Sequence, residues 1–235
     1  MTTKKSTKKG RPDGRKPDQL REMNAQSGVV KRADGSAMFQ SGKTIAYAAV
    51  YGPRSLHPRF LQNPEKGVLR CHYNMMSFSG SGDRVRPGPN RRSKEISMII
   101  EKTFAPVIQL EQYPNCVIDI FIELLQTDAG TRCAGITAAA MALADAGIPM
   151  KDLIASVAVG LVNGEVVADL SYEEEAIEGT VDIPVAYMPR TKELTLLQLD
   201  GAISKENLKK ALELGQKACA TISALQTKAL KEQYK

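Results

Sequence analysis

Alternation and helical periodicity divide the chain into strand-like and helix-like stretches. From Ser27, SGVVKRADGSAMFQSGKTIAYAAVYGP runs through short β-prone segments separated by Asp34-Gly35 and Ser41-Gly42, the pattern of hairpin strands. GVLRCHYNMMSF, from Gly67, predicts another strand, and the glycine- and proline-rich SGSGDRVRPGPN after it predicts a loop. Between Arg91 and Leu110 the residues Ile96, Ile99, Ile100, Phe104 and Val107 share one broad helical face. CVIDIFIELLQ alternates, with Ile118, Ile120 and Ile122 on one side and Asp119 and Glu123 on the other. TDAGTRCAGITAAAMALADAG then changes period, and its small apolar side chains from Ala134 to Ala146 predict a buried helix. LIASVAVGLVNGEVVADLS gives two strands about Asn163-Gly164, a strong hairpin signal. VDIPVAYMP and ELTLLQLDG read as two more, before a closing helix from about Lys205. The pattern is that of an α+β chain, mostly antiparallel strands packed against helices. It predicts one domain over residues 17–235, preceded by a flexible basic tail over residues 1–16.

Composition narrows the classes. Of the 235 residues 43% are hydrophobic and 25% charged, ordinary for a soluble globular protein. No apolar run is long enough to span a bilayer, and the lysine-rich N-terminus has no apolar core of a signal peptide, so no membrane role and a cytoplasmic location are expected. Cys71, Cys116, Cys133 and Cys219 are widely spaced, with only His57 and His72 to join them, which argues against zinc and for reduced thiols.

Charge placement says more than the net +6. The first 16 residues hold seven Lys or Arg and one Asp, with no apolar side chains to bury. A second basic block, Arg54 to Lys94, holds nine Lys or Arg against Glu65 and Asp83 and is interleaved with Phe60, Tyr73 and Phe78. A basic folded surface suggests a polyanionic partner such as nucleic acid.

Three polar clusters carry candidate chemistry. Gly130-Thr131-Arg132 falls on a strand-to-helix connection, where free backbone N–H groups, the helix dipole and a guanidinium together suit an anion. Arg91 and Arg92 fall in the first turn of a helix, where the dipole disfavours cations unless an anion neutralises them. DLSYEEEAIEGTVD, Asp169 to Asp182, gathers carboxylates able to hold a divalent cation or give a proton to a departing oxygen. Each alone has an ordinary explanation as capped helix or solvated loop; jointly they point to phosphate chemistry on a polyanion. G-x-x-x-x-G-K-[ST] is absent, and no serine pairs with a histidine.

RPDGR, NRRSKEIS, LQTDAGTRCAGITAAAMALADAGIPMKDLIA and DLSYEEE with VDIPVA together resemble the RNase PH family, and within it the catalytic ring subunits of the archaeal exosome. The resemblance runs from Arg11 to the C-terminal helix. It implies the RNase PH fold, mixed sheets with β-α-β elements. It also implies a phosphorolytic 3′→5′ exoribonuclease that releases nucleoside 5′-diphosphates and, run backward, adds tails. Inorganic phosphate is then a substrate and Mg²⁺ an accompanying ion. The implied partners are single-stranded RNA, a related non-catalytic subunit in a six-membered ring, and RNA-binding cap subunits. By the same resemblance Gly130, Thr131 and Arg132 cradle phosphate, Arg91 and Arg92 hold the 3′-terminal RNA phosphates, and Arg59, Lys66 and Arg70 contact the strand further along. Asp182 matches the second acidic position of the family's carboxylate motif. Glu175 stands at the first, where the family usually has Asp, with Glu178 as a third candidate for the general-acid and metal roles. A non-catalytic RNA-binding scaffold and a free-standing tRNA-trimming enzyme remain the alternatives.

Overall fold

The computed structural model describes residues 11–82 and 84–234. β1 (Met23–Ser27), β2 (Gly35–Ser41), β3 (Thr44–Ser55), β4 (Val68–Met75) and β5 (Cys116–Gln126) form one sheet in the order β1-β2-β3-β5-β4. Its pairs are antiparallel except β4–β5, which is parallel. β6 (Ala155–Val162), β7 (Glu165–Ala168), β8 (Val181–Met188) and β9 (Glu193–Leu197) form a second, antiparallel sheet in the order β7-β6-β8-β9. The helices are α1 (Arg91–Phe104), α2 (Thr131–Asp145), the single turn α3 (Tyr172–Glu175) and α4 (Lys205–Gln233).

α2 lies between the sheets, packed on β2, β3 and β5 of the first and on β6 and β8 of the second. A helix enclosed this way is apolar all round, and Gly135 to Leu143 are all buried. Its small side chains let backbones approach closely: a Cβ on Gly35 of β2 would stand 2.1 Å from the Ala146 nitrogen. Gly35 therefore serves strand–helix contact rather than the hairpin turn its Asp-Gly dipeptide suggests. β5 buries Ile118, Ile120 and Ile122 and turns Asp119 and Glu123 outward, where they meet Arg70 and Asn74 of β4. α4 covers the second sheet, and a Cβ on its Gly215 would stand 2.8 Å from a Val185 methyl. One continuous hydrophobic cluster takes in residues of both sheets.

Four boundaries differ from the sequence reading. Gly28 to Asp34 is a turn-rich link, tied by the Val30 N–H to Ser36 Oγ at 2.8 Å, and the first strand lies before it at Met23–Ser27. α1 stops at Phe104, because Pro106 has no N–H to continue the ladder. The acidic segment holds the turn α3, closed by a capping box between Ser171 and Glu174. Finally, Arg11 to Lys16 do not belong to the flexible tail assigned to residues 1–16: residues 1–10 lie outside the described residues, and Arg11 is 8% exposed, its guanidinium forking onto the buried Glu174 carboxylate at 2.6 and 2.9 Å. That ion pair, with bonds to the Ala168 and Asp169 carbonyls at 2.9 Å, fixes the segment from Arg11 to Lys16 against the acidic turn.

Candidate active site

The connection from β5 to α2 turns sharply, with Ala129 and Gly130 both left-handed at φ 58° and 60°. The Thr44 hydroxyl braces it, accepting from the Asp128 N–H at 2.9 Å and donating to the Ala129 carbonyl at 2.8 Å. Gly130 is the N-cap and has no side chain to satisfy the first turn, so the opening N–H groups of α2 are left for another acceptor.

These residues line a cavity of about 930 Å³ between the sheets and the N-terminus of α1. Arg92, Ser93 and Glu95 of α1, Tyr73 of β4, Tyr172 and Glu175 of α3, Asp182 of β8 and the Gln198–Gly201 segment complete its wall. α1 is aimed by a capping box: Asn90 Oδ1 accepts from the Ser93 N–H at 2.8 Å, and Ser93 Oγ from the Asn90 N–H at 2.9 Å. Asp182 is held where its strand bridges to Asp200, each residue's N–H donating to the other's carbonyl.

The side chains in this cavity are incompletely paired. Arg132 Nη1 donates to Gln198 Oε1 at 2.6 Å and Nη2 stands 3.8 Å from Glu95 Oε1, while Nε is buried with no partner. Asp182 Oδ1 is also buried and unpartnered. Desolvation pushes the Asp182 carboxyl up to about 6, with Arg132 opposing and the Asp200 charge adding. Glu175 is pushed up to about 7 by desolvation at the cavity wall and by the Asp182 charge, against the Gly130 N–H and the Arg92 and Arg21 guanidiniums. A donor surface for an anion thus faces two carboxyls held above their ordinary range, Glu175 at about 7 and Asp182 at about 6.

The cavity brings together Gly130, Thr131, Arg132, Arg92, Glu175 and Asp182. Others stay apart. Arg91 is exposed and is not part of the cavity wall, nor is the exposed Glu178. Arg59 and Lys66 are exposed on the segment before β4, and Arg70 is engaged by Asp119 at 2.7 and 2.9 Å. Among the described residues no group of three or more His, Cys, Asp or Glu side chains is arranged to hold a metal ion. Sequence reasoning missed Gln198, which steers Arg132, and Tyr73, whose buried hydroxyl has no partner. The inward alternation of Cys71 and Tyr73 on β4 was a usable signal for the second. Nothing in the local pattern announced Gln198.

The chain belongs to the RNase PH family of 3′ exoribonucleases. Residues 19–149 match the description "3′ exoribonuclease family, domain 1" and residues 152–218 "3′ exoribonuclease family, domain 2". The chain is 52% identical over 224 residues to the exosome complex component Rrp41 of Methanopyrus kandleri, covering 95% of this chain and 93% of that one. It is 50% identical to the Rrp41 components of Thermococcus kodakarensis and Pyrobaculum islandicum, again over 95% of its length and covering 89% and 91% of theirs. The crystal structure of rice (Oryza sativa) Rrp46 superimposes with a TM-score of 0.84 at 28% identity, covering 94% of this chain and all of that one.

Proposed function

We propose that this chain is a phosphorolytic 3′→5′ exoribonuclease subunit of an exosome ring. The observation that carries the proposal is the pairing, in one cavity, of an unsatisfied Arg132 donor at a helix N-terminus with the unsatisfied Asp182 carboxylate. Inorganic phosphate is held by the first N–H groups of α2, the Thr131 hydroxyl and Arg132. Arg92 holds the terminal RNA phosphate opposite it. Arg91, Arg59, Lys66 and Arg70 touch the strand outside the cavity, reading backbone rather than base. A phosphate oxygen forms a bond to the terminal phosphorus, and the bond to the 3′ oxygen of the preceding nucleotide breaks. That oxygen takes its proton from the Glu175–Asp182 pair, and a nucleoside diphosphate leaves. Water is not the nucleophile, so the reaction is not a hydrolysis. Two carboxylates beside substrate phosphates suit Mg²⁺, which commonly binds through so few protein ligands. Whichever of Glu175 and Asp182 does not carry the proton would hold it, and it would offset charge building up on the phosphates.

Single-stranded RNA as substrate, a ring shared with a related non-catalytic subunit, and RNA-binding cap subunits belong to the same reading. It draws support from the exosome names of the relatives and from Leu194, Leu197 and Leu199, which are 41–49% exposed on and beside edge strand β9. The four free thiols favour a reducing compartment such as the cytoplasm. The continuous core favours a single folding unit after the basic tail.

The test is to incubate 5′-labelled poly(A) with the chain, alone and with its ring partner, with Mg²⁺ and with or without phosphate. Shortening that requires phosphate supports phosphorolysis. RNA that is bound but stays intact would leave the scaffold reading instead.

A further inference from the structure

Arg21 takes no part in the cavity wall, yet its side chain is 8% exposed and every arm of it is committed. Nε and Nη2 fork onto the two Asp169 oxygens at 2.9 and 2.7 Å, and its backbone N–H donates to the same carboxylate at 2.9 Å. Nη1 donates to the Asp128 carbonyl at 2.5 Å. These two acceptors belong to different parts of the fold. Asp128 lies in the β5–α2 connection, two residues before Gly130. Asp169 starts the acidic turn from β7, with φ 55° and its N–H on the Ala158 carbonyl at 2.7 Å. Ser41 Oγ supplies a further contact to the Asp169 carboxylate at 3.2 Å, and the Tyr172 N–H reaches Asp128 Oδ1 at 3.3 Å. A Cβ added to Gly130 would meet Arg21 Nη2 at 3.3 Å, so the guanidinium lies directly against the phosphate cradle.

We propose that Arg21, through its fork on Asp169 and its bond to the Asp128 carbonyl, is a positioning residue that sets the separation between the phosphate cradle and the acidic turn. It rests on the phosphate-binding role given to Gly130–Arg132 above. Ala129 and Gly130 occupy a backbone conformation that costs energy away from glycine, and such a turn persists only where its surroundings over-determine it. Thr44 fixes the connection within the first sheet; Arg21 ties it to the start of the acidic turn, beside the weaker bond from the Tyr172 N–H to Asp128 Oδ1. A lysine keeps the charge but lacks the planar fork, so it satisfies one acceptor and releases the other.

The test compares wild-type protein with Arg21→Lys, Arg21→Gln and Arg11→Gln. The last breaks an equally buried ion pair on the same acidic turn and serves as the structural control. Calorimetry with inorganic phosphate in metal-free buffer gives the affinity of the cradle. Fluorescence anisotropy with single-stranded RNA gives the affinity for the strand, and thermal melting gives stability. The expected result is a phosphate affinity about ten-fold lower in both Arg21 variants, the scale of losing an outer support of a ligand site. RNA affinity is expected to be unchanged, and Arg11→Gln is expected to lower the melting temperature while leaving phosphate affinity as in wild type. Arg21 variants that melt lower but bind phosphate like wild type overturn the positioning role and leave an ordinary ion pair. Equal phosphate loss in Arg11→Gln overturns it too, since general loosening would then be the cause. A wild-type chain that binds no phosphate overturns the cradle itself, a different failure visible before any variant is compared.

Discussion

Asp182 occupies a poor place for an ionised carboxylate, with one oxygen buried and unpartnered and Asp200 beside it. Its folded pKa of about 6 lies above the ordinary 3.8, so the folded state binds more protons between those values. Stability from this group is therefore full below pH 3.8 and lost as pH rises through about 6. Asp182→Asn should remove that loss, raising stability by about 2–3 kcal/mol at pH 8 in metal-free buffer and by little at pH 4, while abolishing phosphorolysis. Urea unfolding at the two pH values, beside an RNA-shortening assay, measures both. The arginine pair separates at the same scale. Arg92 lines the cavity and Arg91 does not, so Arg92→Ala should lower phosphorolysis about 100-fold and Arg91→Ala far less, measured as kcat/KM on a short RNA. The sequence motif made both arginines legible but not their division, because consecutive helical residues point about 100° apart and only the placement of α1 decides which of these two exposed side chains borders the cavity.

At the scale of elements, the glycine that caps α2 joins a strained turn to an anion site. Alanine at Gly130 would have to hold φ 60°, at a cost of about 1 kcal/mol, and would press its Cβ against Arg21. Gly130→Ala should therefore weaken phosphate binding in calorimetry while RNA binding persists. Unaltered phosphate affinity would show that the turn's geometry is not needed. Most elements were readable because they obey one local period: β5 alternates, α2 is apolar throughout, and α4 begins at the serine-capped Lys205. What local pattern could not supply was pairing between distant segments. The parallel β4–β5 ladder depends on contacts far apart in sequence, Val68 pairing with Val117. The edge strand β4 is closed not by another strand but by side chains of α1, Glu101 taking the Cys71 N–H and Ser97 the Tyr73 N–H. Arg21 escaped notice for the same reason: it stands in no motif, and its meaning lies in two acceptors more than a hundred residues away.

Across the whole molecule, the N-terminal segment acts as a clamp. Arg11 is buried with Glu174, and Arg15 stands 3.7 Å from Asp169. A composition lacking apolar residues hid this, since the segment is held by ion pairs rather than by a hydrophobic face. Arg11→Ala strands a buried carboxylate and should cost about 3–5 kcal/mol in denaturant unfolding. Burial raises the pKa values of Glu174 and Asp169, but the arginines outweigh it and hold both below the ordinary range. This clamp's contribution is therefore present above the ordinary carboxylate pKa and lost as pH falls through the lower folded values, the reverse of the Asp182 dependence. Phosphorolysis requires inorganic phosphate to be the nucleophile in the cavity between the sheets. The most direct measurement is mass spectrometry of the mononucleotide released from poly(A) in the presence of ¹⁸O-labelled phosphate. The expected product is adenosine diphosphate carrying every oxygen of the labelled phosphate. Unlabelled adenosine monophosphate, formed equally without phosphate, would contradict it.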